Sequence, residues 1–219
     1  MTTPPFESAD LRFFILEDQT ILRELLRTHL QKEYSKCTIV EATTLAEARA
    51  AMAISDVFDL AIVDLELPDG NALNWIIGWM QGSSQRKALI LSSVREDYVL
   101  YRALHSNVPG FVHKNDDTEV LRLAIRSVLA GGMFFSSTVQ KMRTRIGADP
   151  VFFNKVLSER EQEALVYLGK GLSNEEVAEY LGLKASSVQD HRKHIMNKLG
   201  IHSQAELMRY AVEKGFSKF

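Results

Sequence analysis

The chain has 219 residues, of which 46% are hydrophobic and 25% charged, and its formal net charge is −2. That is the profile of a soluble globular chain with room for one large domain or two small ones. It excludes a membrane span, because no apolar stretch approaches the ~20 residues a bilayer requires, and the single cysteine, Cys37, excludes an internal disulfide and fits a reducing compartment.

The N-terminus, MTTPPFESAD, is polar and acidic and does not read as a signal peptide. Charge is unevenly spread: residues 1–140 carry 13 Lys/Arg against 18 Asp/Glu, whereas residues 151–219 carry 10 against 9. The imbalance points to two units with different partners.

From residue 11 to about 130 the chain alternates between two periods. Short apolar runs at Leu11–Leu16, Cys37–Val40, Leu60–Val63, Ala88–Leu91 and Val108–Val112 read as strands. Amphipathic stretches at Thr20–Glu33, Thr44–Ile54, Ala72–Met80, Glu96–Ser106 and Thr118–Ala130 read as helices. A fivefold β-α alternation predicts a five-stranded parallel sheet with helices on both faces, a flavodoxin-like α/β domain. Gly131-Gly132 ends the fifth helix, which puts this domain at 1–132. Residues 133–155 read as a linker with one short helix. Beyond it there is no strand signal. Helices are expected at Glu159–Gly169, Asn174–Leu181, Ser186–Leu199 and Gln204–Lys214, a small all-α domain over 156–219.

Open parallel sheets bind ligands at the carboxyl ends of their strands. There the first strand ends on Glu17-Asp18, the third on Asp64, the fourth on Ser92-Ser93 and the fifth near Lys114. Taken singly, Asp64 suits a turn, Glu17-Asp18 a helix cap, Ser92 a cap and Lys114 a solvated surface. Together they suggest a site. Clustered carboxylates repel unless a cation lies among them, and Mg2+ favours such oxygens beside a phosphoryl group. A carboxylate is also a nucleophile toward phosphorus, with metal and lysine offsetting charge on the transferring oxygens. In that chemistry Asp64 attacks, and the Ser92 hydroxyl donates a hydrogen bond to the phosphoryl group.

The segments FILED (14–18), VDLELPDG (63–70), LILSS (89–93) and GFVHK (110–114) resemble the receiver domain of two-component response regulators. The resemblance covers residues 11–130. It implies that Asp64 accepts a phosphoryl group from a sensor histidine kinase. It implies Mg2+ held by Asp18, the Asp64 side chain and the Glu66 backbone carbonyl, with Glu17 acting through water. Pro68 and Gly70 match the turn after the acceptor. Ser92 and Phe111 fall on the family's switch pair, with Phe111 in place of the frequent tyrosine. The residues alone also allow Phe111 to be a plain core aromatic.

In the C-terminal part, Ser158 with Glu161 and Ser173 with Glu176 form capping-box patterns at two helix starts. Gly182 then sits in a tight turn before the longest helix, as helix-turn-helix DNA binding requires. On that helix Val188, Ile195 and Leu199 make an inward stripe with His191 beside it. Lys184, Gln189, Arg192, Lys193 and Lys198 lie elsewhere. The cations suit phosphates, Gln189 suits adenine, and Asp190 suits cytosine N4; an ordinary solvated face fits the same charges.

The stretches LSEREQEAL, GLSNEEVAEYLGL, SSVQDHRKHIMNKLGI and SQAEL resemble the LuxR-type helix-turn-helix over 156–214. The whole chain thus resembles a response regulator of the NarL/FixJ class. The resemblance implies a four-helix output domain whose third helix enters the major groove, with Lys184, Ser186, Ser187, Gln189, Asp190, Arg192, Lys193 and Lys198 as DNA contacts. Ser187 replaces a common threonine, Asp190 puts an acid on the helix, and Gln204 stands where a base is frequent.

The expected protein is therefore a cytoplasmic transcription regulator, not an enzyme, that binds double-stranded DNA, with phosphorylation uncovering the recognition helix that the receiver covers, or favouring a homodimer. Leu207, Tyr210 and Ala211 suit either a dimer surface or the core. A metal-dependent phosphatase fits less well, because Asp64-Leu65-Glu66 lacks a second Asp two residues on and no cap domain is evident. A DNA-binding protein with an inert receiver fits less well too, because the set Glu17, Asp18, Asp64, Ser92 and Lys114 is complete.

Overall fold

In the computed structural model residues 10–55, 57–148 and 152–217 are described. Most of the polar N-terminus and the Asp149-Pro150 part of the expected linker lie outside those residues. The elements in chain order are β1 (Leu11–Leu16), α1 (Thr20–Glu33), β2 (Cys37–Ala42), α2 (Leu45–Ile54), β3 (Leu60–Val63), β4 (Glu66–Leu67), β5 (Gly70–Asn71), α3 (Leu73–Gln81), β6 (Ala88–Ser92), α4 (Asp97–Leu104), β7 (Gly110–His113), α5 (Thr118–Leu129) and β8 (Phe134–Phe135). The helices α6 (Ser137–Ala148), α7 (Phe153–Val156), α8 (Glu159–Leu168), α9 (Asn174–Leu181), α10 (Ala185–Leu199) and α11 (Gln204–Glu213) follow. Among the described residues no helix is long and apolar enough to cross a membrane.

Two compact units result. One runs to Val94 and includes Ala103–Met142; the other joins Arg95–Arg102 to Arg143 and the residues beyond. In the first, the sheet order is β2-β1-β3-β6-β7-β8, all parallel. Alternation along each strand sends side chains to opposite faces. Phe13, Ile15, Leu60, Ile62, Leu89, Leu91 and Val112 pack against Leu26 and Leu30 of α1 and Leu121, Ala124, Ile125 and Val128 of α5. The remaining strand residues, such as Phe14, which packs on Trp75 of α3, fill the other face. Both faces are covered, as a parallel sheet requires.

The sheet has six strands where the periodicity predicts five. The extra one, β8, pairs with β7 through Gly110↔Phe134 and Phe111↔Phe135. Three apolar residues, Met133 to Phe135, between Gly131-Gly132 and Ser136-Ser137 are too few to register as a strand. The pairing comes from tertiary contact, with Phe134 N–H donating to Pro109 O (2.8 Å) and Ser136 N–H to Phe111 O (3.0 Å). The expected linker also carries more helix than one short piece, namely the 12-residue α6 and the four-residue α7.

The second unit contains the four helices expected, α8 to α11. Ser158, Ser173 and Ser203 each begin a helix with a full capping box. Gly182 closes α9 at φ +63, a left-handed setting that glycine adopts without strain. Leu207 and Ala211 are buried, so these two belong to the core of this unit. Within it Tyr98 also stacks on Phe216, with ring centroids 4.0 Å apart.

Glu161 is the third residue of its helix and is almost completely buried. It accepts from Ser158 N–H (2.7 Å) and Lys198 Nζ (2.7 Å). Burial alone would raise its carboxyl, but Lys198 and the Ser158 donors outweigh it and hold the group below the usual carboxylate range. A depressed folded value means its stabilisation is complete above the unfolded carboxylate pKa of about 4.3 and is lost as pH falls through the folded value. Glu161→Gln should therefore cost the second unit about 1–2 kcal/mol at pH 7. The gap to the parent should close as the solution is acidified below that range. Amide hydrogen exchange in α8 and α10 across pH gives the comparison, and a pH-independent gap would contradict it.

Candidate functional site

The carboxyl edge of the sheet gathers the predicted residues. Glu17 and Asp18 follow β1, Asp64 follows β3, Ser92 ends β6 and Lys114 follows β7. Backbone bonds across the strand ends fix their heights: Asp64 N–H to Leu16 O (2.8 Å), Glu17 N–H to Ala42 O (3.0 Å) and Lys114 N–H to Ser92 O (3.1 Å). Adjacent parallel strands therefore deliver residues separated by up to 97 positions to one small volume.

Asp64 is 3% exposed and Glu17 1%. Asp64 Oδ1 accepts from the Ser92 hydroxyl (2.7 Å) and Glu66 N–H (3.1 Å), and Oδ2 accepts from Lys114 Nζ (2.7 Å). The same ammonium donates to Glu17 Oε1 (2.9 Å). Burial would depress the Lys114 amine, but its bonds to Asp64 and Glu17 prevail and hold it above the ordinary lysine value. Burial pushes the Glu17 carboxyl up against the opposing pull of Lys114.

Two oxygens remain without a partner although buried, Glu17 Oε2 and Asp18 Oδ1. One ligand atom from each of Glu17, Asp18 and Asp64 lies within 4.8 Å of the others. Buried anionic oxygens without donors are costly. An all-oxygen set with spare lone pairs fits a hard divalent cation that keeps some of its waters. The residues present therefore fit the metal implied by their resemblance.

The turn after Asp64 is anchored from a second side. Asp69 accepts from the N–H groups of Leu45 (2.9 Å) and Ala46 (3.0 Å), at the start of α2. Gly70 follows at φ +140, where a side chain would be strained. Asp69 is a residue the sequence reading passed over; its signal is an acid directly before a turn glycine. Phe111 is buried in β7 beside Ile90 of β6, and among the strand residues it shares a face with His113, not Val112. It is not part of the polar cluster.

On α10, Val188 and Ile195 of the expected stripe are buried, while Leu199 and His191 are half-buried. Lys184, Ser186, Gln189, Asp190, Lys193 and Lys198 are exposed, and Ser187 is half-buried. Two of the expected cations have partners inside the unit. Arg192 donates to Asn174 Oδ1 (2.9 Å), Leu172 O (3.0 Å) and Gln204 Oε1, and Lys198 donates to Glu161. Gln204 in place of a base follows directly, since a second cation would face the Arg192 guanidinium. His194 and Asn197, not singled out from the sequence, are exposed on the same helix. Their spacing of four and seven from Asp190 was the available signal.

Removing the central cation isolates two buried carboxylates. Lys114→Met should lower stability by about 3 kcal/mol without a divalent ion, because it leaves buried charge unpaired. It should also enlarge the rise in melting temperature on adding Mg2+. Calorimetry with and without the ion tests both, and an unchanged or smaller Mg2+ effect would contradict the pairing described.

Residues 13–126 match the family described as the response regulator receiver domain, and residues 155–211 match the bacterial regulatory proteins of the luxR family. The chain is 33% identical over 198 residues to the Fimbriae Z protein of Escherichia coli, covering 90% of this chain and 94% of that protein. It is 32% identical over 170 residues to the oxygen regulatory protein NreC of Staphylococcus aureus, covering 74% and 78%. In fold it is similar to RcsB of Salmonella enterica serovar Typhimurium, solved bound to a promoter with the phosphomimetic BeF3−: TM-score 0.64, 21% identity, 94% and 99% coverage.

Proposed function

The chain belongs to the response regulators of the NarL/FixJ type, in which a receiver precedes a LuxR-type domain, and we propose that it is a DNA-binding transcription regulator switched by phosphorylation of Asp64. The observation that carries the reading is the Asp64 carboxylate, tethered by Ser92 and Lys114 beside the two unpartnered oxygens of Glu17 and Asp18. In this reading the receiver is 1–132, the connecting segment 133–155 and the output domain 156–219.

The donor is a phosphohistidine on a sensor histidine kinase. An Asp64 oxygen attacks phosphorus, the P–N bond breaks, and the leaving imidazole keeps the bond's electron pair and takes up a proton. Glu17, Asp18, Asp64 and the Glu66 carbonyl would hold Mg2+, which supplies charge neutralisation for the transferring oxygens. Lys114 exchanges a carboxylate partner for a phosphoryl oxygen, and the Ser92 hydroxyl reorients toward the same group. Ser92 movement shifts the loop Ser93–Tyr98 and the helix face Val99–Ala103, with buried Phe111 responding to it. Such a step biases a two-state element. The protein does no turnover chemistry beyond gaining and losing this phosphoryl group, and it works in the cytoplasm.

Output follows from α10. Its exposed residues Ser186, Gln189, Asp190 and Lys193, with Lys184 at its N-cap and half-buried Ser187 beside them, meet double-stranded DNA in the major groove. Lys184 and Lys193 contact phosphates, and Gln189 and Asp190 meet base edges. Arg192 and Lys198 reach DNA only by leaving Asn174, Gln204 and Glu161, so they first serve the domain's own packing. Phosphorylation favours a homodimer, whose two-fold symmetry matches paired half-sites.

Mass spectrometry after treatment with acetyl phosphate and Mg2+ should show one added phosphoryl group, absent from Asp64→Asn. No gain in the parent protein would leave a DNA-binding protein with an inert receiver. A second measurement addresses the helix: Lys193→Ala should weaken binding across sequences and reduce the slope of log affinity against log salt by about one. An unchanged slope would remove Lys193 from the phosphate contacts.

A further inference from the structure

The segment that leaves the first unit is bonded to the loop that carries Lys114. Asp116 lies two residues after the lysine. Its Oδ2 accepts from His113 N–H (3.0 Å), and its own N–H donates to His113 O (2.9 Å), so Lys114 is held inside a closed turn. Its Oδ1 accepts from the Thr138 hydroxyl (2.5 Å), in the first turn of α6. The Ser136 hydroxyl also bonds this carboxylate; burial works against the charge, but the Ser136, Thr138 and His113 donors hold Asp116 below the usual carboxylate range.

The far side of this contact is buried and hydrogen-bonded. Ser136 is 1% exposed and Val139 is fully buried. Ser136 N–H donates to Phe111 O in β7, Ser136 O accepts from Gln140 N–H (2.9 Å), and its hydroxyl accepts from Val139 N–H (3.4 Å). β8 adds a paired edge strand immediately before it. One carboxylate thus joins a lysine at the acceptor site to a hydrogen-bonded strand–helix junction.

We propose that Asp116 is a positioning residue for Lys114 and couples it to the segment Phe134–Val139, so that a change at Asp64 is felt in the first turns of α6. The coupling rests on the reading that Asp64 takes a phosphoryl group, but the positioning does not. When Lys114 gives up a carboxylate for a phosphoryl oxygen, the turn His113–Asp116 shifts with it. Because Asp116 holds hydroxyls on both sides of the α6 start, that shift strains or relaxes the junction. Coupling of this kind is reciprocal, so disturbing α6 also alters the setting of Lys114. Lys114 is joined covalently to the turn His113–Asp116, and hydrogen bonds from that turn's Asp116 to Ser136 and Thr138 carry the link on to the start of α6.

The test uses the full chain with Thr138→Val, which keeps shape but removes the hydroxyl, and Thr138→Ser, which restores it. The first readout is acylation of the Lys114 amine by a water-soluble reagent, followed by mass spectrometry. Thr138→Val should raise Lys114 labelling about fivefold, at the lower end of the usual range of coupling factors, while Thr138→Ser matches the parent. Labelling in Thr138→Val equal to the parent overturns the positioning, whatever happens at Asp64. The second readout is amide exchange in α6 with and without beryllofluoride and Mg2+. The parent should change at Val139–Met142 and Thr138→Val should lose most of that change; a full response in Thr138→Val overturns the coupling. Failure of the parent to take up phosphoryl from acetyl phosphate, with Lys114 labelling still raised in Thr138→Val, removes the Asp64 reading and the coupling and leaves the positioning role intact.

Discussion

A single ammonium group holds the carboxyl edge of the sheet together. Lys114 lies between Glu17 and Asp64 and bonds both, so two buried carboxylates coexist at the ends of different strands. Without a cation there, the Coulomb repulsion of acids packed this closely would push one of them to take up a proton. The lysine makes the edge tolerable without fixing it permanently, because every bond it makes is to a group that has other uses. The proposed exchange of one negative charge for a larger one at Asp64 would need a mobile countercharge, and Lys114 is placed to supply it.

That constraint explains the order of the fold around it. Parallel strands place their carboxyl ends at one rim, so Glu17, Asp64, Ser92 and Lys114 meet although they are far apart in the chain. Helices cover both faces and leave only that rim for polar work. The turn beyond Asp64 is held from the side by Asp69 on the start of α2, and the turn beyond Lys114 by Asp116 on the start of α6. Both turns at the site are tied to helix starts by an aspartate. This limits how far the rim can rearrange and in which direction.

Much of this was legible in the sequence, and the reasons differ by element. Runs such as Leu60–Val63 carry their own apolar signal and end at the residue the structure confirms. Capping boxes at Ser158 and Ser173 announced their helices because the relevant bonds lie within four residues. The convergence of the rim residues was legible through topology alone, since the strand order determines it. Strand β8 was not legible, because two phenylalanines become a strand only where β7 offers an open edge. The inward turn of Arg192 was hidden for a similar reason: its partners Leu172, Asn174 and Gln204 are 12 to 20 residues away. Local chemistry can be read along the chain; a choice between two faces made by distant partners cannot.

The Arg192 case also bears on how α10 works. A recognition helix with every cation free would bind any phosphate backbone strongly and discriminate poorly, because such contacts carry no sequence information. Here Arg192 and Lys198 are engaged inside the unit and Asp190 adds a negative charge to the exposed face. The helix is thus electrostatically restrained. If α10 enters the major groove as proposed, its sequence-independent attraction is lowered and a larger share of its affinity falls to direct base contacts and to pairing of two chains. On the proposed reading, a helix restrained in this way would gain most from anything that brings two copies together, and a charge change at Asp64 would act through that pairing.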